Sequence, residues 1–316
     1  MNPIGGYFEL ELRNHGTLFH DDAVALNSGR SALEYILRTS EKCKTVYVPY
    51  YSCDSILQPI ERLKFNIKFY ELDSALSPRA VGLGKNECLL YINYFGLNNL
   101  KVREVARKYG DVIVDNSQAF FAKPLKDVPT LYSPRKFFGV PDGGFAYTRK
   151  KRFRLKRDKS IGRFGHLLKR LEDGPEAGYE QFVRDDAAVS EVPMSAMSTL
   201  TQRLLENVDF EEARERRNIN FRPLHRRLRR LNEFTKLIEN DAVNGPMVYP
   251  YLRKDNHKIR RRLLAARIYV ATYWPSVFHQ TRPDSFERYL ADNLLPLPID
   301  QRYSIDEMET ILGTLE

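Results

Sequence analysis

The sequence predicts an α/β protein: a large domain with a central, mainly parallel sheet flanked by helices, and a small C-terminal α/β domain. Three observations predict it. Up to about residue 148, short apolar runs alternate with stretches of helical spacing, the pattern of strands linked by crossover helices. After Lys150 the chain turns charged and helical, with few β-branched runs. At Asn244-Gly245-Pro246 a turn signal opens a third region in which strand-like runs return. The expected division is 1–240, with an N-terminal arm over 1–20 and a helical section over 151–240, followed by 241–316.

The apolar runs are specific. Thr45-Val46-Tyr47-Val48 reads as a strand ended by Pro49, and Ile67-Lys68-Phe69-Tyr70 as a second. Cys88 to Ile92, Asp111 to Val114 and Gly144 to Tyr147 supply three more. Helical spacing runs from Ser31 to Arg38 and from Val102 to Tyr109. In the C-terminal region, Met247-Val248-Tyr249 and Arg267-Ile268-Tyr269-Val270 look like strands. Ser304 and Glu307 have the spacing of a capping box at the head of a last helix.

Composition limits the function classes. The chain has 316 residues, 42% of them hydrophobic and 12% aromatic, which suits a globular core. No run approaches the roughly 20 apolar residues that span a bilayer, and the first residues lack the basic-then-apolar pattern of a secretory signal. Cys43, Cys53 and Cys88 make no Cys-x-x-Cys motif and are expected to form no paired framework, which points to a reduced, cytoplasmic protein. The net charge of +9 is concentrated in three places: Lys150 to Arg157, Arg222 to Arg230, and Arg260-Arg261-Arg262. Such runs are either solvated helix faces or the seat of an anionic partner. Nucleic acid and membrane are not expected partners. There is no His-Glu-x-x-His and no zinc-type Cys/His spacing, so no metal is expected; His15, His20, His166, His225, His257 and His279 are scattered and read as surface or core residues. Nucleotide-binding glycine motifs are missing as well.

What remains is a set of residues suited to a cofactor with a phosphate, a pyridine nitrogen and an amine-reactive carbonyl. Lys136 follows Ser133 by three residues and precedes Gly143-Gly144; a positioned lysine can trap a carbonyl. Asp115 closes the run Val112-Ile113-Val114, and an acid at the carboxyl end of a parallel strand faces the crevice where ligands bind. Pyridoxal phosphate (PLP) needs such a carboxylate at its ring nitrogen. Gln118, three residues on, is placed to reach the ring hydroxyl. Asn27-Ser28-Gly29-Arg30-Ser31 precedes a helix, where free N–H groups and the helix dipole attract an anion. Each feature alone also fits ordinary capping or a surface charge; their order along the chain is the stronger signal.

In that order the residues resemble the DegT/DnrJ/StrS family of sugar aminotransferases. Gly5-Gly6-Tyr7-Phe8 resembles the family's opening, Ser28 to Leu33 its phosphate loop, and Val48-Pro49 through Ile60 its next strand and helix. Tyr70 to Asp73, Asn93-Tyr94-Phe95-Gly96 and Asp115 to Ala119 are similar to its following segments, and Lys136 stands seven residues before Gly143 as the family's PLP lysine does. Arg267 to Val270 with Trp274-Pro275, and Leu295 to Ile299, resemble its C-terminal domain. The resemblance implies fold type I and PLP as cofactor. It makes Lys136 the Schiff-base lysine and Asp115 the pyridinium partner, both catalytic. Gln118 would contact the ring oxygen, and Ser28, Gly29, Arg30 and Ser133 would hold the phosphate. It also implies a homodimer with its sites at the interface, and transfer of an amino group from glutamate to a keto-sugar nucleotide. Three positions depart from the family. Cys53 stands where an aromatic often stacks on the ring, Glu191-Val192-Pro193-Met194-Ser195 replaces an Asn-x-Arg-Met-Ser segment, and Leu131 stands where the family has a serine. Two other readings stand beside transamination: another PLP reaction on a sugar, such as dehydration, and a non-enzymatic binding protein on the same fold. The lysine at 136 favours transamination, because the family's dehydratases replace it, typically with histidine.

Overall fold

The computed structural model describes residues 4–12, 16–40, 42–149 and 153–315. His15 and the head of the first basic run, Lys150, Lys151 and Arg152, lie outside the described residues. Seven strands form the main sheet: β1 Val24–Leu26, β2 Thr45–Pro49, β3 Asn66–Tyr70, β4 Glu87–Ile92, β5 Val112–Asp115, β6 Thr130–Tyr132 and β7 Gly144–Tyr147. Their spatial order is β1-β7-β6-β5-β4-β2-β3. The β2–β3, β2–β4, β4–β5 and β5–β6 pairings are parallel; β7 alone runs antiparallel to its neighbours β1 and β6. This is the mainly parallel, helix-flanked sheet expected. Strands β4 and β5 are covered on both faces, which is why they are near-continuous apolar runs rather than alternating ones.

Helices α1 Gly29–Thr39, α2 Leu57–Arg62 and α3 Asn99–Tyr109 connect the strands. The charged section folds into α4 Gly165–Asp173, α5 Pro175–Glu191, α6 Thr199–Glu206, α7 Phe210–Leu228 and α8 Thr235–Glu239. Beyond them, β8 Val248–Leu252 pairs antiparallel with β9 Leu294–Pro298. They are accompanied by α9 Asn256–Ala265, α10 Val277–Gln280, α11 Phe286–Asn293 and α12 Ile305–Leu315. Glu307 accepts from the Ser304 N–H at 2.7 Å, so that half of the capping box forms as its spacing predicts. No helix among the described residues is long and apolar enough to cross a membrane.

Two expectations need correction. Arg267 to Val270 is not a strand. Arg267 has a φ of 57°, and the Ile268 N–H returns to the Leu263 carbonyl at 2.8 Å, closing α9. The carbonyls of Val270 and Ala271 are taken by Arg260, and the partner of β8 is β9. The cysteines also do not all stand apart: Cys43 and Cys88 are joined as a disulfide, with Cα atoms 5.7 Å apart. Cys43 enters β2 and Cys88 lies on the adjacent β4, so forty-five residues of sequence separation hide a contact between neighbouring strands. Cys53 is the free thiol.

The core is aromatic around β6 and β7. His20 is buried there, 4.0 Å from the Tyr132 ring and 5.3 Å from that of Phe145. Its Nε2 lies 2.9 Å from the Phe120 carbonyl, which can only accept, so Nε2 carries the proton and Nδ1 accepts from the Tyr147 hydroxyl at 3.1 Å. Desolvation lowers its pKa from 6.5 to about 4. A histidine kept neutral in the fold but free to protonate when unfolded makes stability fall as pH drops from about 6.5 to about 4. At about 1.4 kcal/mol per pH unit this amounts to about 3 kcal/mol. Urea unfolding across that range is expected to show this loss and His20→Gln to flatten it; equal slopes for the two proteins would contradict the assignment.

Candidate functional site

The carboxyl ends of the parallel strands and the start of β7 meet at one edge of the sheet, since Leu26 at the end of β1 pairs with Gly144 at the start of β7. Ser28 caps α1 there, its hydroxyl accepting from the Ser31 N–H at 3.0 Å. Gly29 and Arg30 follow in the first turn, where N–H groups have no carbonyl within the helix to bond. A Cβ placed on Gly29 would stand 3.5 Å from Ser133 Cβ, so the helix N-terminus and the residue just after β6 abut. The Ser133 hydroxyl has no hydrogen-bond partner among the described residues. Gly144 must be glycine for this packing, because a Cβ there would lie 2.1 Å from the Ser28 carbonyl oxygen.

Asp115 ends β5, beside Leu131 of β6, and is buried. Its Oδ1 accepts from the Ser117 N–H at 2.7 Å and from the Ser117 hydroxyl, an Asx turn that fixes the carboxylate. Gln118 is buried as well, and its carbonyl oxygen accepts from the Phe95 N–H at 2.8 Å. Lys136 ends a short 3-10 turn, Pro134–Lys136, one turn beyond Ser133. Its side chain is exposed and has no ion pair or hydrogen bond among the described residues.

The predicted residues are therefore not all drawn together. Ser28, Gly29 and Ser133 converge, and Asp115 ends the strand next to the one that Ser133 leaves. Arg30 lines a small cleft with Gln58, Arg62 and Ser190, and its Nε is buried without a partner. Cys53 follows β2, two strands from β5 in the sheet, and accepts a hydrogen bond from Ser55 at 3.1 Å. Two tyrosines precede it. Tyr50 stacks on Phe69, and Tyr51 is fully buried with its ring edge-on to Trp274. Glu191 is exposed at the end of α5.

Sequence reasoning missed the residues that hold the site in place. Asn27 gives its carbonyl to the Gly143 N–H at 2.9 Å, and its side chain bonds Asp158 and the Pro193 carbonyl, both at 3.1 Å. Asp142 is fully buried and accepts from the Ser198 N–H at 3.0 Å, the Ser198 hydroxyl at 2.9 Å and the Thr201 hydroxyl. Burial pushes its pKa up, opposed by those hydrogen bonds. Behind Lys136, the Phe137 carbonyl accepts from Gln301 at 2.7 Å and from buried Arg217 at 3.4 Å, and the Arg217 guanidinium lies 4.5 Å from the Phe137 ring centre. Positions 27, 142, 217 and 301 are far apart along the chain; Asn27 and Asp142 adjoin motif residues, whereas Arg217 and Gln301 do not.

No family model matches the sequence, and no curated protein does. The fold, in contrast, is shared with solved structures. An aminotransferase of the DegT/DnrJ/EryC1/StrS group from Brucella abortus has a TM-score of 0.63 at 16% identity, over 93% of this chain and 84% of that one. An aminotransferase of pseudoaminic acid biosynthesis from Helicobacter pylori has a TM-score of 0.62 at 12% identity, over 93% and 85%. A GDP-4-keto-6-deoxy-D-mannose 3-dehydratase from Escherichia coli, solved with hydrated PLP, has a TM-score of 0.59 at 15% identity, over 93% and 87%. At these identities the likeness establishes the fold alone.

Proposed function

We propose that the chain is a PLP-dependent aminotransferase that moves an amino group from glutamate to a nucleotide-linked keto-sugar, in surface polysaccharide or secondary-metabolite synthesis. The observation that carries this reading is the meeting of the α1 N-terminus with Ser133, beside the strand-end carboxylate of Asp115 and one turn from Lys136. The residues fit the cofactor. First-turn N–H groups at Gly29 and Arg30, the hydroxyls of Ser28 and Ser133, and the orphaned Arg30 Nε suit a phosphate. Asp115 suits the pyridine nitrogen and Lys136 the carbonyl carbon. When bound, PLP supplies that carbonyl and a ring that accepts the electron pair released at the amine-bearing carbon.

The chain's own residues then have distinct tasks. Asp115, held by Ser117, keeps a proton on the ring nitrogen. The exposed Lys136 amine would hold the cofactor at its carbonyl carbon and would serve as the base that moves the proton at the reacting carbon. Gln118 gives its carbonyl to the Phe95 N–H, which leaves its amide nitrogen as the donor that would reach the ring oxygen, and Cys53 would stand where the family often has an aromatic. A homodimer belongs to the same proposal. Ile4, Tyr7, Phe8 and Leu10 in the arm and Leu171 and Tyr179 on α4 and α5 are exposed apolar residues that a second copy would cover, and sedimentation at micromolar concentration is expected to give twice the mass of one chain. Cytoplasmic location is also proposed, although the Cys43–Cys88 pair removes the cysteine count as its support. The test of function is a panel of nucleotide-linked keto-sugars offered with glutamate. Formation of 2-oxoglutarate with at least one of them is expected; glutamate-independent loss of water from the sugar would favour a dehydratase instead.

A further inference from the structure

We propose a second anion site, on the small C-terminal unit, for a small molecule carrying two or more phosphate groups. The run Arg260-Arg261-Arg262 splits on folding. Arg260 turns inward, donating to the carbonyls of Val270, Ala271 and Leu294 at 2.8 to 3.1 Å. Arg261 and Arg262 instead line an open cleft of about 790 Å³ with Arg253, Lys254 and Lys258. Helix α9 carries Lys258, Arg261 and Arg262, and is anchored by Asn256, Ile259 and Leu263, which are buried on its other face. Lys258, Arg261 and Arg262 stand at i, i+3 and i+4, so they share one face.

Among the described residues, these five cations meet one carboxylate in the cleft, that of Asp255. Arg262 donates to the Leu315 carbonyl at 3.0 Å; Arg253, Lys254, Lys258 and Arg261 have no ion pair among the described residues. Elsewhere many arginines do find carboxylates: Arg38 and Arg62 share Glu34, Arg163 pairs with Asp158, and Arg302 with Asp300. Like charges at this spacing oppose helix formation, and a focused positive field in a concave site draws a counter-anion. One phosphate carries at most about two negative charges, too few for this excess, so a di- or triphosphate is the better match. The cleft has the size of small-molecule sites, about 300–1,000 Å³.

Calorimetric titration of the full chain with inorganic triphosphate at low ionic strength tests the site. Saturable binding of one triphosphate per cleft is expected, weakened at least ten-fold in the Lys258→Ala, Arg261→Ala double variant and unchanged in Arg222→Ala, Arg226→Ala on α7. Relieving like-charge repulsion is expected to leave the melting temperature of the first variant no lower. Should that variant unfold, Lys258→Gln with Arg261→Gln takes its place. Absence of binding overturns the proposal, as does binding abolished by Arg30→Ala but not by the α9 substitutions. So does single phosphate binding as tightly as triphosphate. Phosphatidylserine vesicles or duplex DNA bound through α9 while triphosphate is not would assign the face to a macromolecular surface and likewise overturn it.

Discussion

Replacing Asp115 by asparagine is expected to slow the single-turnover reaction with glutamate by about 10- to 150-fold, the equivalent of about 1.5–3 kcal/mol for one hydrogen bond to a charged group. The effect is expected on chemistry and not on folding. Asparagine keeps an oxygen for the Ser117 N–H and hydroxyl, so the Asx turn that carries residue 115 survives. What it loses is the negative charge that keeps a proton on the ring nitrogen. Stopped-flow measurement of the half-reaction, with a thermal melt of the same sample, separates the two. A near-normal rate would remove Asp115 from its role, and a large fall in melting temperature would reassign it to the fold.

Arg217→Met is expected to destabilise the protein by about 3 kcal/mol, the largest loss anticipated for a residue outside the site. Arg217 is 1% exposed, yet each part of its guanidinium is engaged. It donates to Gln301 at 3.0 Å, to the Pro246 and Met247 carbonyls at 3.1 and 3.2 Å, and to the Phe137 carbonyl, and it stacks on the Phe137 ring. Burial works against its charge and brings its pKa down to about 10, with Asp300 opposing the fall. Methionine fills similar space but leaves backbone carbonyls buried without donors. Urea unfolding measures the loss. A change below about 1 kcal/mol would mean that those carbonyls find other donors.

Both residues bear on what the sequence could reveal. The place of Asp115 at the end of a strand was legible because an acid next to an apolar run carries its context with it; the same holds for Gly29 at the head of α1 and for the strands at Thr45, Cys88 and Val112. Arg217 was not legible, since its partners at 137, 246, 247 and 301 come together only when the two sheets dock. Strands β1 and β6 are three residues long, too short for any period to show, although β6 sets Ser133 beside Gly29. The run at Arg267 has strand composition, but a turn geometry at the end of α9 and the pairing of β8 with β9 override it. His20 gave no signal because burial, the cause of its altered titration, is a property of the packed aromatic core. The cysteine pair was missed for the same reason as Arg217: adjacency across β2 and β4 does not appear in spacing.

The central claim, that Lys136 carries PLP, is tested most directly by incubating the protein with PLP, reducing with borohydride, and mapping the peptides by mass spectrometry. A single stoichiometric pyridoxyl adduct on Lys136, absent from a folded Lys136→Ala variant, is the expected result. An adduct spread over other exposed lysines, or one that persists in Lys136→Ala, would contradict it.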